Sequence, residues 1–166
     1  MMKSNRLFYG VVFLISISLL CYGYYLQFVD GLEPCPLCIF QRIAFIAIII
    51  IALVGALHGP QKAWKYVYSG LILVSSISGA SIAARQVWLQ HLPADQVPAC
   101  GPGLDFMMEV FPLGETLKMI FTGSGECAKV DWTFLGFSIA ELSLAWFLAF
   151  GIASVLHMMG KLRIGS

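Results

Sequence analysis

Uncharged stretches recur along this chain at lengths that match a lipid bilayer. Twenty-three residues without a charge separate Arg6 from Asp30, 19 separate Arg42 from Lys62, 19 separate Lys65 from Arg85, and 19 run from Leu142 to Gly160. A 19-residue α-helix rises about 28 Å, close to the roughly 30 Å of bilayer hydrocarbon. Apolar residues in these stretches are not confined to one helical stripe, as they are on a soluble surface helix, so each stretch predicts a helix in contact with lipid. The expected fold is an all-α integral membrane protein: a four-transmembrane-helix bundle with spans at about 7–28, 43–60, 66–85 and 138–159, in one domain covering residues 1–166. A signal peptide also places basic residues such as Lys3 and Arg6 before an apolar run. This run is too long for one, and no A-x-A-like site follows it.

Between the spans, loops are expected at about 29–42 and 86–137. The second is long, and Pro93, Pro98, Pro102 and Pro112, with Gly101, Gly103, Gly114, Gly123 and Gly125, interrupt any continuous helix there. Loops of that length usually carry function. Inside it Leu113, Leu117, Ile120 and Phe121 repeat at i, i+4, i+7 and i+8 while Glu115 and Lys118 point elsewhere, which predicts a short helix on the membrane surface. In the third span Ser75, Gly79 and Ala83 share one face, with Ser76, Ala80 and Ala84 beside it, so a neighbouring helix can approach closely.

Composition agrees with residence in the lipid bilayer: 59% of residues are hydrophobic and 11% charged, and the mean hydropathy is +0.84. The net charge of +1 hides an asymmetry. Lys3, Arg6, Lys62, Lys65, Lys161 and Arg163 fall on one side of a four-span topology, without an acidic residue among them. Asp30, Glu33, Asp95, Asp105, Glu109, Glu115, Glu126 and Asp131 fall on the other, against Lys118 and Lys129, with Arg42, Arg85 and Glu141 at the span ends making up the total. The positive-inside rule then puts both termini in the cytoplasm and both cysteine-bearing loops outside. This distribution excludes a nucleic-acid-binding surface.

Of the five cysteines, Cys35, Cys38, Cys100 and Cys127 lie in the two outer loops, which in a bacterium is an oxidising compartment. Cys35-Pro36-Leu37-Cys38 is a C-x-x-C at the outer mouth of the second span. Two thiols at that spacing close a small, easily reduced ring, the kind that is catalytic more often than structural. A helix N-terminus, which Pro34 and Pro36 fit, favours negative charge on such a sulfur. For Cys100 and Cys127, 27 positions apart, the residues alone leave a redox role, a structural staple and, with the C-x-x-C, an all-thiolate zinc site open. Cys21 lies mid-span, where cysteine acts as a small hydrophobe.

Arg42 follows Cys38 by four positions, which places guanidinium and sulfur on one helical face. It is either an arginine snorkelling to head groups or a cation balancing charge on the sulfur or on a bound acceptor. Arg85 and Gln86, at the outer end of the third span, are either further polar contacts at that depth or ordinary anchors.

Four ordered stretches carry a stronger signal: Glu33-Pro34-Cys35-Pro36-Leu37-Cys38 followed by Gln41-Arg42; Val97-Pro98-Ala99-Cys100-Gly101-Pro102-Gly103; Gly123-Ser124-Gly125-Glu126-Cys127-Ala128; and Trp132-Thr133-Phe134-Leu135-Gly136 before the last span. Together they resemble the DsbB family of disulfide bond formation proteins over almost the whole chain. The resemblance implies a quinone-dependent protein-disulfide oxidoreductase of the bacterial inner membrane. In that relay the periplasmic thiol oxidase DsbA attacks the cysteine matching Cys100, in a disulfide with Cys127, and electrons move on to the Cys35 and Cys38 pair. Cys38 then faces ubiquinone or menaquinone from the membrane pool, near the arginine matching Arg42. Some members carry a histidine where Gln86 aligns, so a quinone contact at Gln86 is where this chain departs from the pattern. The direction is energetically consistent, because DsbA sits near about −120 mV and structural disulfides, below about −300 mV, are too weakly oxidising to serve it.

Four other readings compete, one of them a zinc-holding membrane module that elemental analysis would decide. A dedicated homologue would serve one specialised DsbA-like partner. A vitamin K epoxide reductase-like enzyme also has four spans and two cysteine pairs, but with the C-x-x-C after the loop pair, whereas here it comes first. A non-catalytic membrane subunit with a stapled loop would show no redox turnover.

Overall fold

The computed structural model describes residues 2–61, 63–93, 95–96, 125–130 and 132–161. In chain order they form α1 (Met2–Phe28), α2 (Pro36–His58), α3 (Ala63–Gln90), a single-turn α4 (Gly125–Ala128), a hairpin of β1 (Thr133–Phe134) and β2 (Phe137–Ser138), and α5 (Ile139–Met158). The four long helices are each long and apolar enough to cross a membrane, so the protein is a four-span, all-α membrane protein. Cys100 and the surface helix expected at 113–121 lie outside the described residues.

Helix ends follow local chemistry more closely than the charge pattern. α2 starts at Pro36, well before residue 43, because proline at the first helical position lacks only an N–H that would have had no partner. It stops at Gly59, whose φ of 63° is left-handed and whose N–H reaches Gly55 O at 3.0 Å. α3 continues past Arg85 to Gln90, since arginine and glutamine mark a membrane boundary without breaking a helix. α5 opens with a capping box: Glu141 N donates to Ser138 Oγ at 3.2 Å, and Ser138 N donates to Glu141 Oε2 at 2.7 Å.

The helices pack in chain order, α1 on α2, α2 on α3, and α3 most extensively on α5. Phe45 and Phe147 stack in the centre with ring centroids 4.3 Å apart. Gly79 makes this fit possible, because a Cβ there would collide with the fully buried Phe147 ring. Gly79→Ala is therefore expected to lower the thermal midpoint of the detergent-solubilised protein, with an overpacking cost of about 1–3 kcal/mol. An unchanged midpoint would mean that the Phe147 ring has room to retreat.

The end of the bundle away from the C-x-x-C is held by polar contacts. Arg6 donates to Ala56 O at 3.1 Å and Leu57 O at 2.7 Å, and Lys65 donates to His157 O at 3.1 Å and Met158 O at 3.3 Å. Each cation thus covers the negative C-terminal end of a helix. Below them the Tyr9 hydroxyl lies 2.9 Å from Ser69 Oγ, which lies 3.0 Å from His157 Nδ1. The layer ties α1, α3 and α5 together.

Candidate functional site

Cys35 is the N-cap of α2, in extended conformation, and Pro36 begins the helix. Cys38 therefore falls within the first turn, where the Cys35 thiol donates to its Sγ at 3.0 Å. The short α4 packs against α3 and α2 and brings Cys127 into hydrogen-bonding contact with Cys35. Leu37 and Leu89 close around the sulfurs, and Cys127 is only 1% exposed. Contact with Cys127, then contact with Cys38, and then burial push the Cys35 thiol well above the ordinary cysteine range. Cys35 is thus the central sulfur of three, touching one cysteine from its own helix turn and one from the loop.

From α3, Gln86 reaches the same sulfurs. Its Nε2 donates to Cys38 Sγ at 3.2 Å and to Cys35 Sγ at 3.4 Å. Its Oε1 accepts from Gln41 Nε2 at 2.6 Å and from the Cys38 thiol at 3.5 Å. Cys35, Cys38, Gln41 and Gln86 all border a cavity of about 530 Å³ between α1, α2, α3, α5 and the loop. Leu19, Leu26, Phe45 and Trp146 give it apolar walls, and Arg42 and Gln90 add polar edges.

The other expected site residues are placed differently. Arg42 lines the cavity, but its guanidinium turns sideways to α1, donating to Gln27 Oε1 and to Gly23 O at 3.2 Å and covering the Tyr24 ring at 4.7 Å. Spacing of i, i+4 puts Arg42 and Cys38 on one face; the long side chain then finds the carbonyls of the neighbouring helix. Gln86, not Arg42, is the polar partner of Cys38. Arg85 lies over the Trp88 ring at 4.2 Å and is not among the residues lining the cavity. Sequence reasoning missed Gln41 and Gln90 as lining residues, although polar side chains spaced at i+3 from Cys38 and i+4 from Gln86 within apolar spans are the pattern that marks an intramembrane site.

Thiol–disulfide exchange requires an attacking sulfur in contact with the one attacked. Cys35 is in contact with both Cys127 and Cys38, so a disulfide can pass from one pair to the next through its sulfur. Fold and site together define a membrane thiol–disulfide oxidoreductase.

The family model described as "Disulfide bond formation protein DsbB" matches residues 5–157. The chain is 52% identical over 147 residues to a Disulfide bond formation protein B of Hahella chejuensis, a match covering 89% of each. It is 49% identical over 156 residues to the protein of that name from Azoarcus sp., covering 94% of this chain and 92% of the relative. For the Nitrosococcus oceani protein the identity is 53% over 146 residues, 88% of this chain and 86% of the relative. The chain belongs to the DsbB family.

Proposed function

We propose that this protein re-oxidises a DsbA-like periplasmic thiol oxidase and passes the electrons to ubiquinone or menaquinone. The observation that carries the reading is the contact of Cys35 with both Cys127 and Cys38 at the wall of an apolar cavity. Cys100 receives the partner's thiolate, Cys127 relays to Cys35, and Cys38 borders the cavity on the far side of the relay. A volume of about 530 Å³ lies within the range of small-molecule sites, roughly 300–1,000 Å³. Its leucine and aromatic walls suit a hydrophobic ring, while Arg42 and Gln90 suit carbonyl oxygens. A quinone bound there supplies a two-electron, two-proton acceptor. The chain's own part is to hold Cys38 against that space and to keep the exchange buried. The test is coupled oxidation of reduced DsbA with quinone absorbance followed; partner oxidation without absorbance change would sink the quinone half of the reading.

The membrane in question is the bacterial inner membrane, with both termini cytoplasmic and the cysteine loops periplasmic. The positive-inside rule supports this, because Arg6 and Lys65 cap helices at the end of the bundle opposite Cys35. Cysteine introduced at Gln61 is expected to resist an impermeant maleimide in intact cells and to react after permeabilisation. Labelling of intact cells would invert the topology.

A further inference from the structure

Gln41 takes no direct part in the relay, yet it is buried to 4% exposure beside the reacting sulfurs and its amide is bonded to Gln86. We infer that Gln41 is a positioning residue for the exchange step: it fixes the Gln86 carboxamide so that the NH2 end faces the sulfurs of Cys35 and Cys38. The inference rests on the relay proposed above.

The two ends of a carboxamide are nearly equal in size, so packing alone does not choose which faces a sulfur; hydrogen bonding does. Gln41 Nε2 donates to Gln86 Oε1 at 2.6 Å, which holds the carbonyl end at 3.5 Å from Cys38 Sγ and leaves Gln86 Nε2 nearer, at 3.2 Å from Cys38 Sγ and 3.4 Å from Cys35 Sγ. Gln86 is also 4% exposed, so bulk water does not compete for either end. Gln41 lies three positions after Cys38 on α2, so one helix places both the sulfur and the residue that orients the sulfur's partner.

The orientation matters in one step. The Cys127 thiolate attacks Cys35 Sγ of the Cys35–Cys38 disulfide; the Cys127–Cys35 bond forms, the Cys35–Cys38 bond breaks, and the bonding pair leaves on Cys38 as a thiolate. No proton is transferred, and one negative charge moves from Cys127 to Cys38. An N–H donor already aimed at Cys38 stabilises the charge arriving there, whereas a carbonyl oxygen in its place repels it. Turning Gln86 over exchanges the first situation for the second. Because both residues are neutral amides, this orientation does not titrate.

The experiment uses the full-length, quinone-depleted protein in detergent with its loop and C-x-x-C disulfides formed, mixed with reduced DsbA. Acid quenching, thiol alkylation and mass spectrometry then time the appearance of the Cys38 thiol separately from partner capture at Cys100. Gln41→Met keeps the length and removes the donor. It is expected to slow release of Cys38 by about tenfold or more, the scale of one hydrogen bond to a charged group, with partner capture at the wild-type rate. In a Gln86→Met background the same substitution is expected to add nothing, since its effect acts through Gln86. In Gln41→Glu the ionised carboxylate accepts from the Gln86 NH2 and turns it over, while the protonated acid still donates. The ratio of its rate to the wild-type rate is therefore expected to fall as pH rises.

Wild-type kinetics in Gln41→Met, or a further slowing by it in the Gln86→Met background, would overturn the assignment. If Gln41→Met fails to capture the partner, the pH course of Gln41→Glu decides, and a flat ratio overturns it. A wild-type protein that captures DsbA at Cys100 and never exposes Cys38 sinks the relay itself, a result distinguishable from any of these.

Discussion

Replacing Cys127 with serine is expected to halt turnover and to collect the protein as a mixed disulfide with its partner, joined through Cys100. With Cys127 gone, Cys100 carries a lone thiol in a stretch rich in Pro98, Gly101, Pro102 and Gly103. When the oxidised partner is supplied, the Cys100 thiolate attacks its disulfide: one S–S bond forms, one breaks, and the partner's second cysteine leaves as a thiolate. Serine at 127 offers no sulfur to resolve the product. The partner's own released cysteine can still attack the adduct, so acid quenching is needed to hold it. Cys127 is 1% exposed and lies against Cys35, which makes it a poor site for a large soluble partner and a good one for a relay inside the protein. Quinone reduction is expected to fall to the level without partner. Non-reducing electrophoresis and mapping of the linked peptides provide the check; an adduct through Cys35, or none, would reverse the receiving and relaying roles.

The four spans were legible from composition because a bilayer fixes the length of every apolar run, whatever the helices do with one another. The cysteine pattern was legible because chemistry fixes it: a C-x-x-C at a proline-marked helix start has few other uses. The polar contacts between helices were not. Arg42 and Cys38 share a face by spacing, but which neighbour the guanidinium bonds depends on α1 presenting Gln27 and the Gly23 carbonyl at the same depth. Gln41 and Gln86 are 45 positions apart, and their bond exists only because α2 and α3 pack side by side. The layer of Tyr9, Ser69 and His157 escaped for the same reason, since its members come from three helices and each looks like an isolated polar residue in an apolar run. Gly79 lay on the face expected to permit close approach; its partner, the Phe147 ring, had no signature in the sequence.

Arg42→Met is expected to lower kcat/KM for quinone about 10- to 100-fold, the range for losing a hydrogen bond from a charged group, while exchange at Cys100 and Cys127 is unchanged. The guanidinium has five N–H donors, more than its bonds to Gln27 and Gly23 use, and Arg42 lines the cavity. A cation held there, half-buried at the cavity's edge, favours an acceptor that takes on negative charge more than the same cation would in bulk solvent. The bonds to α1 do a second job, closing the wall between α1 and α2 that the acceptor would rest against. Two further variants separate these contributions. Arg42→Lys keeps the charge and loses both the planar fork and the stacking over Tyr24, so it is expected to rescue only part of the activity. Gln27→Leu keeps the cation and removes one α1 anchor, so its loss is expected to be much smaller than that of Arg42→Met. The decisive measurement is steady-state quinone reduction by the three variants, with partner oxidation scored separately in a single turnover. Equal losses in Gln27→Leu and Arg42→Met would make Arg42 a clamp between helices, and unchanged kinetics in Arg42→Met would leave it an anchor at the membrane boundary.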